Sequence, residues 1–333
     1  MKRRDLIVGI GAAALGLARP VAAQQPGALR RLGVLMGYRE SDKEAQARLT
    51  AFFQVFEELG WRDGRNLRVE YRWAAGSADQ IRSSASELIA GNPDAILAAT
   101  TPVVRALLQE TRTVPVVFIS VSDPVGDGFV NSLSRPSGNA TGFTNLERSL
   151  SGKWLELVKE LAPSVTHVAA LFNPATSAGR GAYYWPPFEA AASWSSVQAL
   201  QAPVQNENDI ERHITELASK PNSGGGLAVM PDVFTVVNRA RIIALAASKR
   251  LPAVYPYRYF AQEGGLMAYG IDLSDQYRRA ARYVHRIFRG EPAGELPVQA
   301  PAKFELVINQ LTAGTVGIKV PPTLLARADD VIE

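Results

Sequence analysis

Three histidines, His167, His213 and His285, are the only imidazoles in the chain, and none stands in a metal-ligand motif such as H-E-x-x-H. His167 opens a short apolar run. His213 and His285 fall on amphipathic helical patterns, where a histidine is structural or solvated. The absence of cysteine excludes disulfides, thiolate zinc sites, thiol nucleophiles and lipid-modified thiols together. No G-x-S-x-G elbow supplies an activated serine. Ser149-Leu150-Ser151-Gly152-Lys153 is superficially like a phosphate loop, but Glu147 stands where the first glycine is needed. Gly9-Ile10-Gly11-Ala12-Ala13-Ala14 fits a dinucleotide-binding turn, yet no strand precedes it. The side-chain chemistry therefore predicts no catalytic residue, no metal site and no cofactor.

What remains are polar and aromatic groups at the expected carboxyl ends of strands, where open parallel sheets bind ligands. In the first half these are Tyr38, Arg39, Thr100, Thr101, Ser120, Ser122 and Asp123. In the second half they are Asn173, Thr176, Asp232, Tyr257 and Gly270. Thr101-Pro102 has the form of a helix start, either a plain cap or a site where free N–H groups meet a ligand carboxylate. Asp123-Pro124-Val125-Gly126 reads equally as a structural turn. Asp232 is either a helix cap or the partner of a ligand ammonium. Tyr183, Tyr184 and Trp185 are denser than a loop requires and are expected to form a pocket wall.

The elements that must position these groups alternate between strand and helix. Short apolar runs at 31–36, 95–99, 114–119 and 140–143 mark buried strands, and 67–73 alternates as a half-exposed one. Helical periodicity covers 49–59, 77–90 and 102–111 between them. The pattern restarts with a helix at 153–161, then strands at 168–172, 227–230, 253–255 and 266–269. Helices are expected at 185–195, 209–217, 236–249 and 277–288. Repeated β-α-β order predicts two doubly wound parallel-sheet lobes, and 333 residues suffice for two cores. On the last of those helices Arg278, Arg282, Arg286 and Arg289 recur at three- and four-residue spacing, as a solvated face or a docking surface for an acidic partner.

The formal charge of +4 would suggest nucleic acid, but most of it lies in the first 23 residues. Lys2, Arg3 and Arg4 precede a short apolar run, then Val21-Ala22-Ala23, in the pattern of a cleaved export leader. Arg3-Arg4 fits a twin-arginine signal as well as an ordinary Sec leader. Cleavage after Ala23 removes four basic residues and one acidic one, leaving +1. The mature chain is thus expected in a bacterial periplasm, not inserted in the membrane and without nucleic-acid partners.

Longer motifs carry a resemblance. Ser122-Asp123-Pro124-Val125-Gly126, the run Asn131–Asn139, Thr141-Gly142-Phe143, Leu251–Tyr255, Gly264–Gly270, Tyr277–Ala281, Lys303–Asn309 and the ending Ile318–Glu333 resemble the substrate-binding proteins of ABC importers that include tryptophan and tyrosine receptors. The similarity spans nearly the whole mature chain. It implies a type I periplasmic binding protein with two lobes joined by a three-crossover hinge. It also implies a monomer with no catalysis and no cofactor. The lobes would comprise 24–143 with 271–302, and 144–270 with 303–333. The ligand contacts it implies fall on Tyr38, Thr100, Thr101, Ser122, Asp123, Asn173 and Asp232, with Asn145 added at the hinge. The partners would be a small organic solute, an amino acid or aromatic compound, and the permease subunits of an ABC importer. The segment 178–187 departs from the family pattern, so the solute is not carried over. A sensor for a chemoreceptor or two-component system, and an exported α/β enzyme, are the alternative readings.

Overall fold

Each buried apolar run becomes a parallel strand, because a sheet covered on both faces needs no polar alternation. The computed structural model describes residues 29–220 and 224–333; the expected leader and its G-x-G-x-x-A pattern lie outside them. The first sheet holds β1 (Arg30–Met36), β2 (Leu67–Trp73), β3 (Ala95–Ala99), β4 (Val116–Val121) and β5 (Ala140–Thr144), in the order β2-β1-β3-β4-β5. All its pairings are parallel. Helices α1 (Lys43–Glu58), α2 (Ala78–Ala90) and α3 (Thr101–Glu110) connect them. Asp42 caps α1 and Ser77 caps α2, each accepting a hydrogen bond from a first-turn N–H.

After α4 (Leu150–Leu161) the chain builds the second sheet from β6 (His167–Phe172), β7 (Gln198–Pro203), β8 (Gly225–Val229), β9 (Ala253–Tyr255) and β10 (Met267–Gly270). Between them run α5 (Trp185–Trp194), α6 (Glu207–Ala218), α7 (Val233–Val237), α8 (Arg239–Ser248) and α9 (Arg258–Gln262). Helix α10 (Leu273–Phe288) then returns to pack on α1 and on β3, β4 and β5 of the first sheet. The chain comes back once more for β11 (Glu305–Asn309), α11 (Gln310–Val316), α12 (Pro322–Leu325) and β12 (Asp330–Ile332). The second sheet is ordered β12-β11-β10-β9-β8-β6-β7. The chain therefore passes between the sheets after β5, after β10 and between α10 and β11.

Three details differ from the sequence expectation. The second sheet is not wholly parallel: β11 pairs antiparallel with β10, since α10 carries the chain away and it re-enters from the opposite end. Strands β7, β11 and β12, which were not among the expected strands, also join the sheet; β7 is a largely exposed edge strand. The helix expected at 236–249 begins at Val233 instead, because Asp232 caps it there, and it breaks at Asn238. Two of the arginines singled out on α10 are half-exposed and locally paired, Arg278 with Asp272 at 3.0 Å and Arg286 with Glu291. Among the described residues no helix is long and apolar enough to cross a membrane, and no cluster of His, Asp and Glu could hold a metal ion.

Gly270 ends β10 where the chain leaves for α10, and a Cβ there would overlap the carbonyl oxygen of Pro256. Gly270→Ala is therefore expected to cost about 3 kcal/mol through overpacking against backbone, a melting-temperature loss of roughly 5–10 °C. A variant melting with the parent in a calorimetric scan would show that this passage tolerates a shift.

Candidate ligand-binding cleft

Leaving β12 and β11 aside, the two sheets share one strand order, with β6, β7, β8, β9 and β10 repeating the placement of β1 to β5. In each the order reverses between the first and third strands, and that switch point opens a crevice at the carboxyl ends. The first sheet presents Tyr38 after β1 and Thr100 after β3; the second presents Asn173 after β6 and Asp232 after β8. The crevices face each other. Tyr38, Thr100, Thr101, Ser120, Ser122 and Asn145 from one side meet Thr176, Tyr184, Pro231, Asp232, Val233, Val236 and Tyr257 from the other, around a nearly shut cavity of about 10 Å³.

The first wall is strained and under-bonded. Thr100 has φ 94° and Ser120 has φ 56°, conformations that non-glycine residues adopt at a cost of about 1–3 kcal/mol each. Both hydroxyls are buried with no hydrogen-bond partner. Thr100 occupies the N-cap of α3 yet its side chain makes no capping bond, so the first N–H groups of that helix also lack a side-chain cap. Gly37 lets this arrangement form, since a Cβ there would stand 2.5 Å from the Thr100 hydroxyl. Gln276 of α10 holds the strand ends in place: its Nε2 donates to the Thr144 carbonyl at 2.6 Å and its Oε1 accepts from the Ser120 N–H at 3.5 Å.

A chain of hydrogen bonds crosses the cleft. The Ser122 hydroxyl donates to Asn145 Oδ1 at 3.0 Å, and Asn145 Nδ2 donates to the Tyr257 hydroxyl oxygen at 2.7 Å. Tyr257 thus accepts, and its own proton remains available. Tyr184 bridges from the second side, with its hydroxyl 3.2 Å from Ser122 Oγ and donating to the Pro231 carbonyl at 3.3 Å. Burial pushes the phenols of Tyr184 and Tyr257 well above their ordinary range, so both stay neutral donors.

Asp232 is handled in the opposite way. Its carboxylate accepts from the N–H groups of Asn173 (2.9 Å) and Thr235 (3.0 Å) and from the hydroxyls of Thr176 and Ser177 (3.0 Å each). It caps α7 in a capping box and ties down the loop after β6. All four partners are neutral, and burial raises its pKa against the lowering effect of these bonds. The group is a buried carboxylate at the cleft surface without a counter-charge in its hydrogen-bond shell.

Of the residues singled out in the sequence, Tyr38, Thr100, Thr101, Ser122, Asn145, Asp232 and Tyr257 meet around the cavity. Asn173 lies behind it, with Oδ1 accepting from the Ala175 N–H at 2.7 Å and its backbone serving Asp232. Asp123 accepts from the Gly126 N–H at 2.8 Å and closes its own turn. Tyr183 sits outside, beneath the Arg148 guanidinium, and burial with the nearby Asp123 pushes its phenol up to about 12. Its neighbour Tyr184 fills the wall instead. Gln276 was not anticipated; its signal was a polar residue within the apolar stripe of α10, beside Leu273, Tyr277 and Ala280.

Residues 44–332 match the family model described as ABC transporter substrate binding protein. The chain is 26% identical over 262 residues to the tyrosine-binding protein of Clostridioides difficile (strain R20291), covering 78% of this chain and 74% of that one. Among solved structures it superposes on a conserved domain protein from Vibrio cholerae with a TM-score of 0.83 at 25% identity, over 91% of this chain and 100% of that one. A Streptococcus pneumoniae ABC domain in complex with L-Trp gives the same TM-score at 22% identity, over 92% and 100%. Type I periplasmic binding proteins share this pairing of two mostly parallel α/β sheets. A match from Lys43's neighbour Glu44 to Ile332, together with a cleft between paired switch points, establishes that the chain belongs to the ABC transporter substrate-binding protein family.

Proposed function

We propose that the chain is the solute receptor of an ABC importer and that its solute is a single amino acid held as a zwitterion. The observation that carries this reading is the pair of buried, unpartnered hydroxyls of Thr100 and Ser120 at the open start of α3. A ligand carboxylate placed there receives both hydroxyls, the free N–H groups of the helix start and the spare proton of Tyr257. The ligand ammonium lies toward Asp232, whose charge it compensates. Tyr38, Tyr184 and Tyr257 supply aromatic contact area for the side chain. The tyrosine-binding relative and the L-Trp-bound neighbour support the same class.

In this reading residues 24–143 with 271–302 and residues 144–270 with 303–333 are lobes that close on the solute about the three passages, and the closed form docks on permease subunits. Export to the periplasm, with the leader removed near Ala23, places the receptor beside that permease. Binding needs no catalytic group.

Three outcomes test the proposal. In a thermal-shift panel, an amino acid at about 1,000 times its dissociation constant adds roughly 4 kcal/mol to the folded state, raising the melting temperature on the order of 5–15 °C. Aromatic amino acids are expected to give the largest shifts. Shifts confined to sugars or polyols would refute the reading. Ser120→Gly removes a strained φ and an orphaned hydroxyl; it is expected to raise ligand-free stability by about 1 kcal/mol while weakening amino-acid binding roughly fivefold or more. Asp232→Asn should cut the preference for that amino acid over its deaminated analogue by about 30- to 150-fold, on the order of 2–3 kcal/mol. Equal losses for both compounds, measured by calorimetry, would make Asp232 a structural cap alone.

A further inference from the structure

Beside the cleft, the two sides also touch through a cluster of charged and aromatic side chains at the start of α1. Arg48 of α1 is 2% exposed, and the nearest carboxylate, Glu44, is 3.9 Å away. Its guanidinium lies instead over the rings of Tyr38 at 5.5 Å and Tyr259 at 4.8 Å. Tyr259 belongs to α9, on the opposite side, and Arg239 of α8 also stands over its ring at 5.4 Å. Arg239 reaches back across to Asp42, donating at 2.6 Å, while Glu263 holds its Nε at 2.9–3.0 Å. Tyr259 stacks on Tyr257 at 5.5 Å, so Tyr38 and Tyr257, both on the cleft wall, are each backed by this cluster.

Two opposed forces meet there. The Asp42–Arg239 bond is charge-assisted, and its side chains are only 7% and 14% exposed, so salt screens it little. Against it, Arg48 Nη1 and the Tyr259 hydroxyl are buried without hydrogen-bond partners, and opening would return both to water. We propose that Asp42, Arg239, Arg48 and Tyr259 form a closure element, a set of positioning residues that never touch the solute but fix the resting balance between open and closed lobes. The ion pair pulls the lobes shut and the two orphaned donors push them apart. The inference rests on the two-lobed receptor reading and not on the identity of the solute.

The chain has no cysteine, so Ser86→Cys on α2 and Ser248→Cys on α8, both exposed, can carry a pair of spin labels without background. Inter-label distances are measured by pulsed electron paramagnetic resonance with no solute added. Asp42→Asn keeps a side-chain oxygen to cap α1 at the Ala45 N–H but loses the ion pair. It is expected to raise the open-to-closed ratio about tenfold. Tyr259→Phe keeps the ring and removes the orphaned hydroxyl, and should lower that ratio about fivefold. Arg241→Gln, which breaks an exposed pair with Glu207 and Glu211 within the second lobe, should change nothing. The proposal is overturned if Asp42→Asn and Tyr259→Phe move the distances in the same direction or not at all. It is also overturned if the parent chain is wholly open, since the ion pair would then hold nothing. Because no solute is present, a silent amino-acid panel would count against the ligand reading and leave this result standing.

Discussion

A polar group buried between two sheets must find a partner, and the cleft is organised by the few that do not. Around one cavity, Asp232 has every acceptor position filled, while the Thr100 and Ser120 hydroxyls have no partner. An orphaned buried hydroxyl costs about 1–3 kcal/mol, and both residues add backbone strain from their positive φ. A fold does not retain such sites by default. Here they are kept by neighbours that serve the scaffold: Gly37 makes room for Thr100, and Gln276 fixes the end of β4 from another element. On the proposed reading these groups are presented in place before any solute arrives, which limits the entropy lost on capture.

The repeated strand order explains why two sets of groups face each other. Each sheet reverses at its own switch point, so each side brings residues from two strand ends and a helix start. The sides are chemically unequal. The first offers hydroxyls and helix N–H groups, which suit an anion; the second offers a carboxylate, which suits a cation. Helix α10 belongs to the first side in space although β10 and β11, on either side of it in sequence, belong to the second. That interleaving keeps the sides in register while leaving only three chain passages to bend.

Much of this was legible in the residue order. Apolar runs of three to six residues between helical stripes marked the parallel strands, and the rule that ligands gather at carboxyl ends placed Tyr38, Thr100, Ser122, Asp232 and Tyr257 around one space. Asn145 came from family resemblance alone, because nothing local distinguishes it from a turn residue. Periodicity could not choose between Tyr183 and Tyr184. Which ring turns inward depends on the left-handed backbone of Gly179, Arg180 and Gly181 just before them. Strands β11 and β12 were hidden because their partners are set by where α10 delivers the chain. Arg48 did leave a trace: it occupies a core position on the stripe of Ala45, Leu49 and Phe52, where a charge is out of place unless something covers it.

A receptor of this kind must be reluctant to close when empty and willing when loaded, and the same chemistry can provide both. With the cleft shut and no solute, two cleft hydroxyls, one guanidinium nitrogen and one phenol go without partners. At about 1–3 kcal/mol for each cleft hydroxyl, the penalty that a solute carboxylate relieves reaches several kcal/mol. Moving a two-state balance from one per cent to ninety-nine takes about 5.5 kcal/mol, so satisfying those two hydroxyls and compensating Asp232 is of the right size to drive closure. The Arg48 and Tyr259 donors are not relieved by the solute. They act as a constant bias that the Asp42–Arg239 pair opposes. On the proposed reading selection and reluctance are separated: the cleft decides which solute closes the lobes, and the cluster beside it decides how much binding energy closure requires.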